Sequence, residues 1–591
     1  MCGIVGYVGS PDSGLRDRMA TSQRHRGPDG QGVFSAGNVH LGMSRLSIVD
    51  PGAGCALLKN EAETIVVVFN GEIYNHRELR ATLSTLGHSF RTNIDTEVVI
   101  HLYEEYGPDC VRFLRGMFSF ALFDGSKLLL ARDRLGIKPL YYLYLRDLGI
   151  FLFASEIKAL LQCDQYLPSL NMQAFADFIL LGYPSGTATF LNGIVSLARG
   201  HTLTVTAGER VEVVESNSYF EWPNRDLGID LPTAQSRLDT ILNGAVRTHL
   251  NADVDVGLLL SGGLDSTVLA YIAREHRARR LQTFTVADTE THPDAILAAD
   301  VARRIDSDHH LCLLDFETYL AAIPGLVAAE EAPSSLWGLP FLILSQTLSK
   351  HSKACILGEG ADELFGGYGD YLDRGFRLAQ FARRFPLLAR LGVSPTDEAM
   401  RTVRQLSPMH SSDIYLSNLF NLNLGDQLER LHLDPVDRCA MASGVEMRVP
   451  YLDDEVFDFV ARLPIQLLVR QDLGIQKYLL RHLATERLGG GFLDIVMRRK
   501  LGVPSSGRIL HRRFEKLCED VLPASYLERH ELGFCFTHKW QLLMFELFHE
   551  LFIENRGNAD RLGGVLDALS ARADSAGRRA LVSDQSCRFV R

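Results

Sequence analysis

No stretch of this 591-residue chain is apolar for long enough to cross a bilayer. Its first residues, MCGIVGYVG, lack the basic start and the apolar run of a secretory signal. The ten cysteines are scattered, and none form the close pairs of a zinc module. Nine of them read as buried thiols in a reducing compartment; Cys2 stands apart. There is no excess of positive charge either. A net charge of −11 argues against bulk binding to nucleic acid or to an anionic membrane, though not against a small basic pocket. The phosphate-binding pattern GxxxxGK[ST] is also missing. What is present is a globular composition, 46% apolar and 23% charged, on a chain too long for one ordinary core. A soluble, cytoplasmic protein of two or more domains is expected.

Up to about residue 215, short apolar runs alternate with Gly, Asn and Asp turns. IVVVF (65–69), FSFALF (118–123), KLLLAR (127–132), GIFLFAS (149–155) and HTLTVT (201–206) read as strands. HRELRATLSTLG (76–87) and TEVVIHLYEEYG (96–107) carry helical patterns between them, which together predict an α+β layered domain over 2–215. Residues 216–232, with turn residues and two prolines, read as a linker. Beyond it, a helical pattern at 231–250 leads into DVGLLL (255–260), SGGLDS (261–266) and a helix at VLAYIAREHRARR. LQTFTV (281–286), a helix near 294–305 and KACILG (353–358) continue the alternation, so a parallel α/β sheet is expected within a domain at 233–520. From about 370 the pattern is mostly helical. Residues 521–591 read as a helical extension whose last 25 or so residues are poorly ordered.

Cys2 becomes the first residue if the initiator methionine is removed, and its α-amine can then act as the base for its own thiol. HRGPDG (25–30), RLSIVD (45–50), NGEIYN (70–75), TNIDTE (92–97) and RDRLGIKPLYY (132–142) follow in one domain. With these motifs, in this order, the chain resembles the N-terminal-nucleophile glutaminase domain of asparagine synthetases and related amidotransferases. The resemblance implies αββα layers and a site for L-glutamine. Arg45 would pair with the substrate carboxylate, Glu72 and Asp95 would hold its ammonium, and Asn70 with the Gly71 N–H would form an oxyanion hole beside Cys2.

SGGLDS after an apolar strand is the second anchor. Glycines at a strand end let backbone N–H groups face a phosphate, and Ser261 and Ser266 add hydroxyls. This loop (Ser261, Gly262, Gly263, Asp265, Ser266) resembles the pyrophosphate loop of enzymes that cleave ATP to AMP and PPi. GEGADELFGGY (358–368) brings Glu359, Asp362 and Glu363 near it, carboxylates that need a cation; Asp265 and Asp362 are the candidate Mg²⁺ ligands. SGVEMRVPYLD (443–453), QKYLLR (476–481) and RRKLGVP (498–504) complete a resemblance to the asparagine synthetase domain. It implies that Leu259, Val286, Leu357 and Gly358 line the nucleotide, that Lys477 and Lys500 face phosphate, and that Glu359 takes a proton from the incoming amine.

Together the two sites predict an enzyme that frees ammonia from glutamine and adds it to a carboxylate activated by ATP and Mg²⁺. The default acceptor is aspartate, giving asparagine; a homodimer is implied by resemblance alone. In the acceptor-side segment 330–345, an arginine seen in some relatives is missing and Leu336, Trp337 and Leu339 stand there, while Leu357 replaces a small hydroxyl residue. These read either as core packing beside an ordinary site or as suited to a more apolar acid, which is the alternative acceptor, and a substituted amine could replace ammonia. A phosphoribosyl amidotransferase is disfavoured by SGGLDS, a β-lactam-forming relative by Cys2 and Glu359, and a tRNA-modifying enzyme by the net charge.

Overall fold

The computed structural model describes residues 2–574, except 13, 56, 209, 278, 408–409, 490–491 and 499–506. Two six-stranded antiparallel sheets form the first half. Their strands in chain order are β1 (Cys2–Val8), β2 (Gly30–Ala36), β3 (Val39–Arg45), β4 (Leu58–Lys59), β5 (Val66–Ile73) and β6 (Gly116–Phe123), then β7 (Lys127–Arg132), β8 (Tyr141–Leu145), β9 (Ile150–Ala154), β10 (Ile194–Ser196), β11 (His201–Thr206) and β12 (Val213–Ser218). One sheet has the order β10-β8-β9-β1-β3-β2 and the other β12-β11-β7-β6-β5-β4.

Side chains on a strand alternate between faces, and the layers follow from that. On β1, Ile4 and Val8 enter the core between the sheets, where Val66 and Val68 of β5 meet them. Val5 and Tyr7 point the other way, onto Leu15 and Met19 of the helix Leu15–Ser22. On β5, Val67 and Phe69 face outward to Leu83 and Val98 of the helices His76–Thr85 and Glu97–Tyr106. The result is helix, sheet, sheet, helix, as expected.

The second half holds a five-stranded parallel sheet, β15-β14-β13-β16-β17, from β13 (Val256–Leu259), β14 (Gln282–Ala287), β15 (Asp308–Leu313), β16 (Ala354–Ile356) and β17 (Glu446–Arg448). Two of these strands carry weak sequence signals. The start of β15 is DHH, and β17 is three residues long with two charges. The helix expected from residue 268 begins earlier, at Leu264, so the glycine turn feeds directly into its first turn. Of the segment read as a linker, Ser216–Ser218 ends β12, and Leu231 and Pro232 begin the helix Leu231–His249. The C-terminal region is helical through Val565–Arg572, and residues 575–591 lie outside the described residues. No described helix is long and apolar enough to cross a membrane. The cysteine reading needs one correction: Cys55 and Cys312 are partly exposed, and Cys587 lies outside the described residues.

Candidate active sites

Cys2 lies at the buried end of β1, and the β1–β3 register places it opposite Arg45. Its backbone nitrogen donates to Asn70 Oδ1 at 3.1 Å, across from β5. The Asn70 amide is fixed on its other side, where Nδ2 donates to Ser119 Oγ at 3.4 Å. Cys2, Arg45, Gly71, Glu72 and Asp95 line one cavity of about 50 Å³. Burial pushes the Cys2 thiol above its ordinary pKa, against the opposing pull of the Leu46 backbone and the Arg45 charge. The thiol therefore needs a base.

Arg45 Nη2 donates to the carbonyls of Val49 (3.2 Å) and Asp50 (3.1 Å), while Nη1 is buried and has no partner among the described residues. A buried guanidinium N–H without an acceptor is costly, and a carboxylate entering the cavity would supply one. On the opposite wall, Asp95 Oδ2 accepts from the Ile73 N–H at 2.8 Å. Burial raises the pKa of both Asp95 and Glu72, Glu72 strongly.

Gly71 was expected to supply an oxyanion-hole N–H. The structure gives a packing reason as well. Its φ is +147°, and a Cβ there would collide with the Met117 carbonyl of β6. Gly71→Ala is therefore expected to cost about 3 kcal/mol of stability or more, read as a lowered urea midpoint; an unchanged midpoint would refute the clash.

In the second half, SGGLDS folds onto itself. Ser261 Oγ and Ser266 Oγ lie 3.1 Å apart, and the Ser261 N–H donates to Ser266 Oγ at 3.2 Å. Gly262 has φ +65°, and a Cβ there would press on Leu297 and Ala298 of the helix Pro293–Arg304. Gly263 caps the helix Leu264–Glu275 without a side-chain acceptor, which leaves the first helical N–H groups for an outside acceptor such as a phosphate. Gly358 lies against this loop; a Cβ would sit 3.1 Å from Asp265 Cβ. Leu259 and Val286, both partly exposed, end β13 and lie in β14, while Leu357 is buried.

Lys477 joins the two acidic motifs. Its Nζ lies 2.6 Å from Asp265 Oδ2 and 2.7 Å from Asp362 Oδ1. Burial disfavours its charge, but the two carboxylates outweigh burial and raise its pKa above the ordinary lysine value. The backbone at Lys477 is left-handed (φ +51°), which turns the side chain in at the start of the helix Tyr478–Leu488. Gly367 completes the cradle, since a Cβ there would strike Asp362 and Lys477. Two carboxylates already sharing one cation, both hard oxygen donors, fit Mg²⁺. Lys500 lies outside the described residues.

Glu359, read from the sequence as one of three clustered carboxylates, also has a histidine partner. His432 Nδ1 lies 2.8 Å from Glu359 Oε1, and the Trp337 ring stands 5.7 Å from the His432 ring. Tyr368 donates to Glu363, whose buried carboxyl has a raised pKa through burial and the nearby Glu359 and Asp362 charges. His432 sits in a helical stretch, Asn423–Leu433, that is kinked at Gly425, and no spacing in the sequence pointed to it.

Sequence reading also missed the buried charges between the halves. Arg26, from HRGPDG, donates to the Cys2 carbonyl (3.3 Å), Glu156 (2.9 Å) and Asp437 (2.7 Å). Lys138 reaches Asp437 at 3.2 Å, and Arg132 reaches Glu429 at 2.7 Å. Arg448 bonds Glu72. The one available signal was an arginine between apolar residues, VEMRVP, which implies a buried and paired charge.

Comparison with known proteins finds both kinds of domain. The glutamine amidotransferase domain profile matches residues 1–219 and the asparagine synthase profile residues 237–560. The chain is 28% identical to asparagine synthetase [glutamine-hydrolyzing] 1 of Bacillus subtilis (strain 168), over 94% of this chain and 98% of that one. It is 30% identical to asparagine synthetase B of Escherichia coli (strain K12), covering 81% and 78%. With the Zea mays asparagine synthetase the identity is 31%, covering 81% and 73%. A chain with both domains, in this order and at these coverages, belongs to the asparagine synthetase family.

Proposed function

We propose that this C–N ligase hydrolyses glutamine in its first half and uses ATP in its second to amidate aspartate, giving asparagine, AMP and PPi. The observation that carries the second half is the meeting of SGGLDS and GEGADE at Lys477. In the first half, Cys2 attacks the side-chain amide carbon of glutamine. Arg45 takes the substrate carboxylate, Glu72 and Asp95 the ammonium, and Asn70 with the Gly71 N–H the developing oxyanion. Collapse of the tetrahedral adduct expels ammonia and leaves a thioester; water attacks it, restoring the thiol and releasing glutamate. In the second half the acceptor carboxylate attacks the α-phosphate of ATP and displaces PPi. Ammonia, kept neutral by crossing inside the protein, attacks the acyl carbon of the adenylate. Glu359 takes the proton of the incoming amine and AMP leaves.

Ser261, Gly262, Gly263 and Ser266 offer donors to the phosphates, and Leu259, Val286, Leu357 and Gly358 line the base and ribose. Asp265 and Asp362 would hold Mg²⁺, which neutralises pyrophosphate charge when bound. Lys477 stays between the two carboxylates and faces the phosphates as they separate.

A second acceptor reading draws support from the Trp337 ring beside the His432–Glu359 pair. Pyrophosphate release, measured with glutamine, ATP and a panel of carboxylic acids, decides between them. Aspartate is expected to give the highest kcat/KM. A more apolar acid exceeding it about tenfold would replace aspartate, since one buried contact is worth about that much. Release with no acid would overturn the reading.

A further inference from the structure

Glu72 lines the first-half cavity, yet its carboxylate is held by a residue from the second half. Arg448, on β17, is fully buried and every arm of its guanidinium is engaged. Nη2 donates to Glu72 Oε2 at 3.1 Å and Nε to Glu446 Oε1 at 2.6 Å. Nη1 donates to the carbonyls of His249 (2.7 Å) and Asn251 (2.9 Å). Its own carbonyl accepts from the Leu357 N–H at 3.0 Å, next to Gly358 in the nucleotide site.

A second tie lies on the facing side of the cavity. The Asp253 N–H donates to the Ile48 carbonyl at 3.2 Å, and Asp253 Oδ2 accepts from the Asp50 N–H at 2.8 Å. Residues 49 and 50 supply the carbonyls that hold Arg45. Two of the three groups assigned to the charged end of glutamine, Arg45 and Glu72, are thus braced by the second half.

We infer that Arg448 is a positioning residue of the glutamine site, acting through Glu72, so that the ammonium subsite is complete only when the second half is docked. Fixed on two backbone carbonyls and on Glu446, Arg448 aims the Glu72 carboxylate into the cavity. It is also the largest charge opposing the burial that drives Glu72 toward its neutral form, with Asp95 and Glu446 acting the other way. A neutral Glu72 would lose its attraction for an ammonium. The inference rests on reading this cavity as the glutamine site.

The test uses the full-length chain and two assays: glutaminase activity without ATP, and ammonium-driven pyrophosphate release. In Arg448→Met, KM for glutamine is expected to rise about tenfold or more with kcat changed less than about threefold, the mark of lost ground-state binding. Ammonium-driven release should fall by less than about threefold, and Arg448→Met should add nothing further in a Glu72→Gln background. Arg448→Lys, which keeps the charge but loses the fork, should fall between and serves if the Met variant does not fold. An unchanged KM, parallel loss of both activities, or an undiminished Arg448 effect in the Glu72→Gln background would overturn the inference. Glutaminase activity surviving in Cys2→Ala would instead overturn the reading beneath it.

Discussion

Cys2→Ala is expected to lose glutamine hydrolysis by on the order of 10³-fold or more, because no other group in the cavity can form the thioester. The same protein should still release pyrophosphate and form amide when ammonium salts are supplied. The physical reason is the separation of the chemistry. Cys2 pairs with Arg45 and its backbone bonds Asn70 in the first half, while the phosphate loop and Lys477 belong to the second. Removing one sulfur atom leaves the strand register of β1 intact, so the second site keeps its shape. Glutaminase activity and ammonium-driven synthesis, measured on one preparation, check this. Retained glutaminase activity would show that another nucleophile acts; loss of both activities would show that the sites do not work separately.

Asp437→Ala is expected to destabilise the protein by about 3–5 kcal/mol, the cost of leaving buried charges unpaired. Asp437 is buried and receives Arg26 at 2.7 Å and Lys138 at 3.2 Å. Burial works against its ionised form, but the two cations outweigh burial and lower its pKa. Its stabilisation is therefore present above the unfolded-state pKa, near 4, and lost as pH falls through the lower folded value. The difference in urea midpoint between wild type and variant should be large at neutral pH and narrow on acidification. A gap that is absent at pH 7, or that widens with acid, would contradict the pairing. Arg26 also donates to the Cys2 carbonyl, so a drop in glutaminase activity should accompany the loss of stability.

Most of the scaffold was readable because its signals are local. KLLLAR and HTLTVT match β7 and β11 end to end, since apolar runs between turn residues have few other solutions. The placement of Cys2, Arg45, Gly71, Glu72 and Asp95 around one cavity, and of Asp265 near Asp362, follows the motif order. What was not readable is pairing across hundreds of residues. Nothing near Glu72 in sequence announces Arg448, and nothing near Glu359 announces His432. The strand Glu446–Arg448 is too short and too charged for a pattern; it exists because Ala354–Ile356 gives it a parallel neighbour. Gly71 shows a different limit: its motif was visible, but the crowding by Met117 that requires a glycine depends on the β5–β6 pairing.

The outer face of the β1 sheet does not end in solvent. Val5, Tyr7, Leu152 and Ile157 share one continuous apolar core with Leu238, Leu336 and Met441 of the second half. A chimera that grafts this glutaminase half onto another synthetase must therefore carry a matched surface, not merely a matched tether. Its Arg26, Arg132 and Arg115 would need acids standing where Asp437, Glu429 and Asp453 stand now. Modular swapping at residue 220 would expose greasy strand faces and strand buried cations, so such hybrids should precipitate unless both sides of the seam are exchanged together.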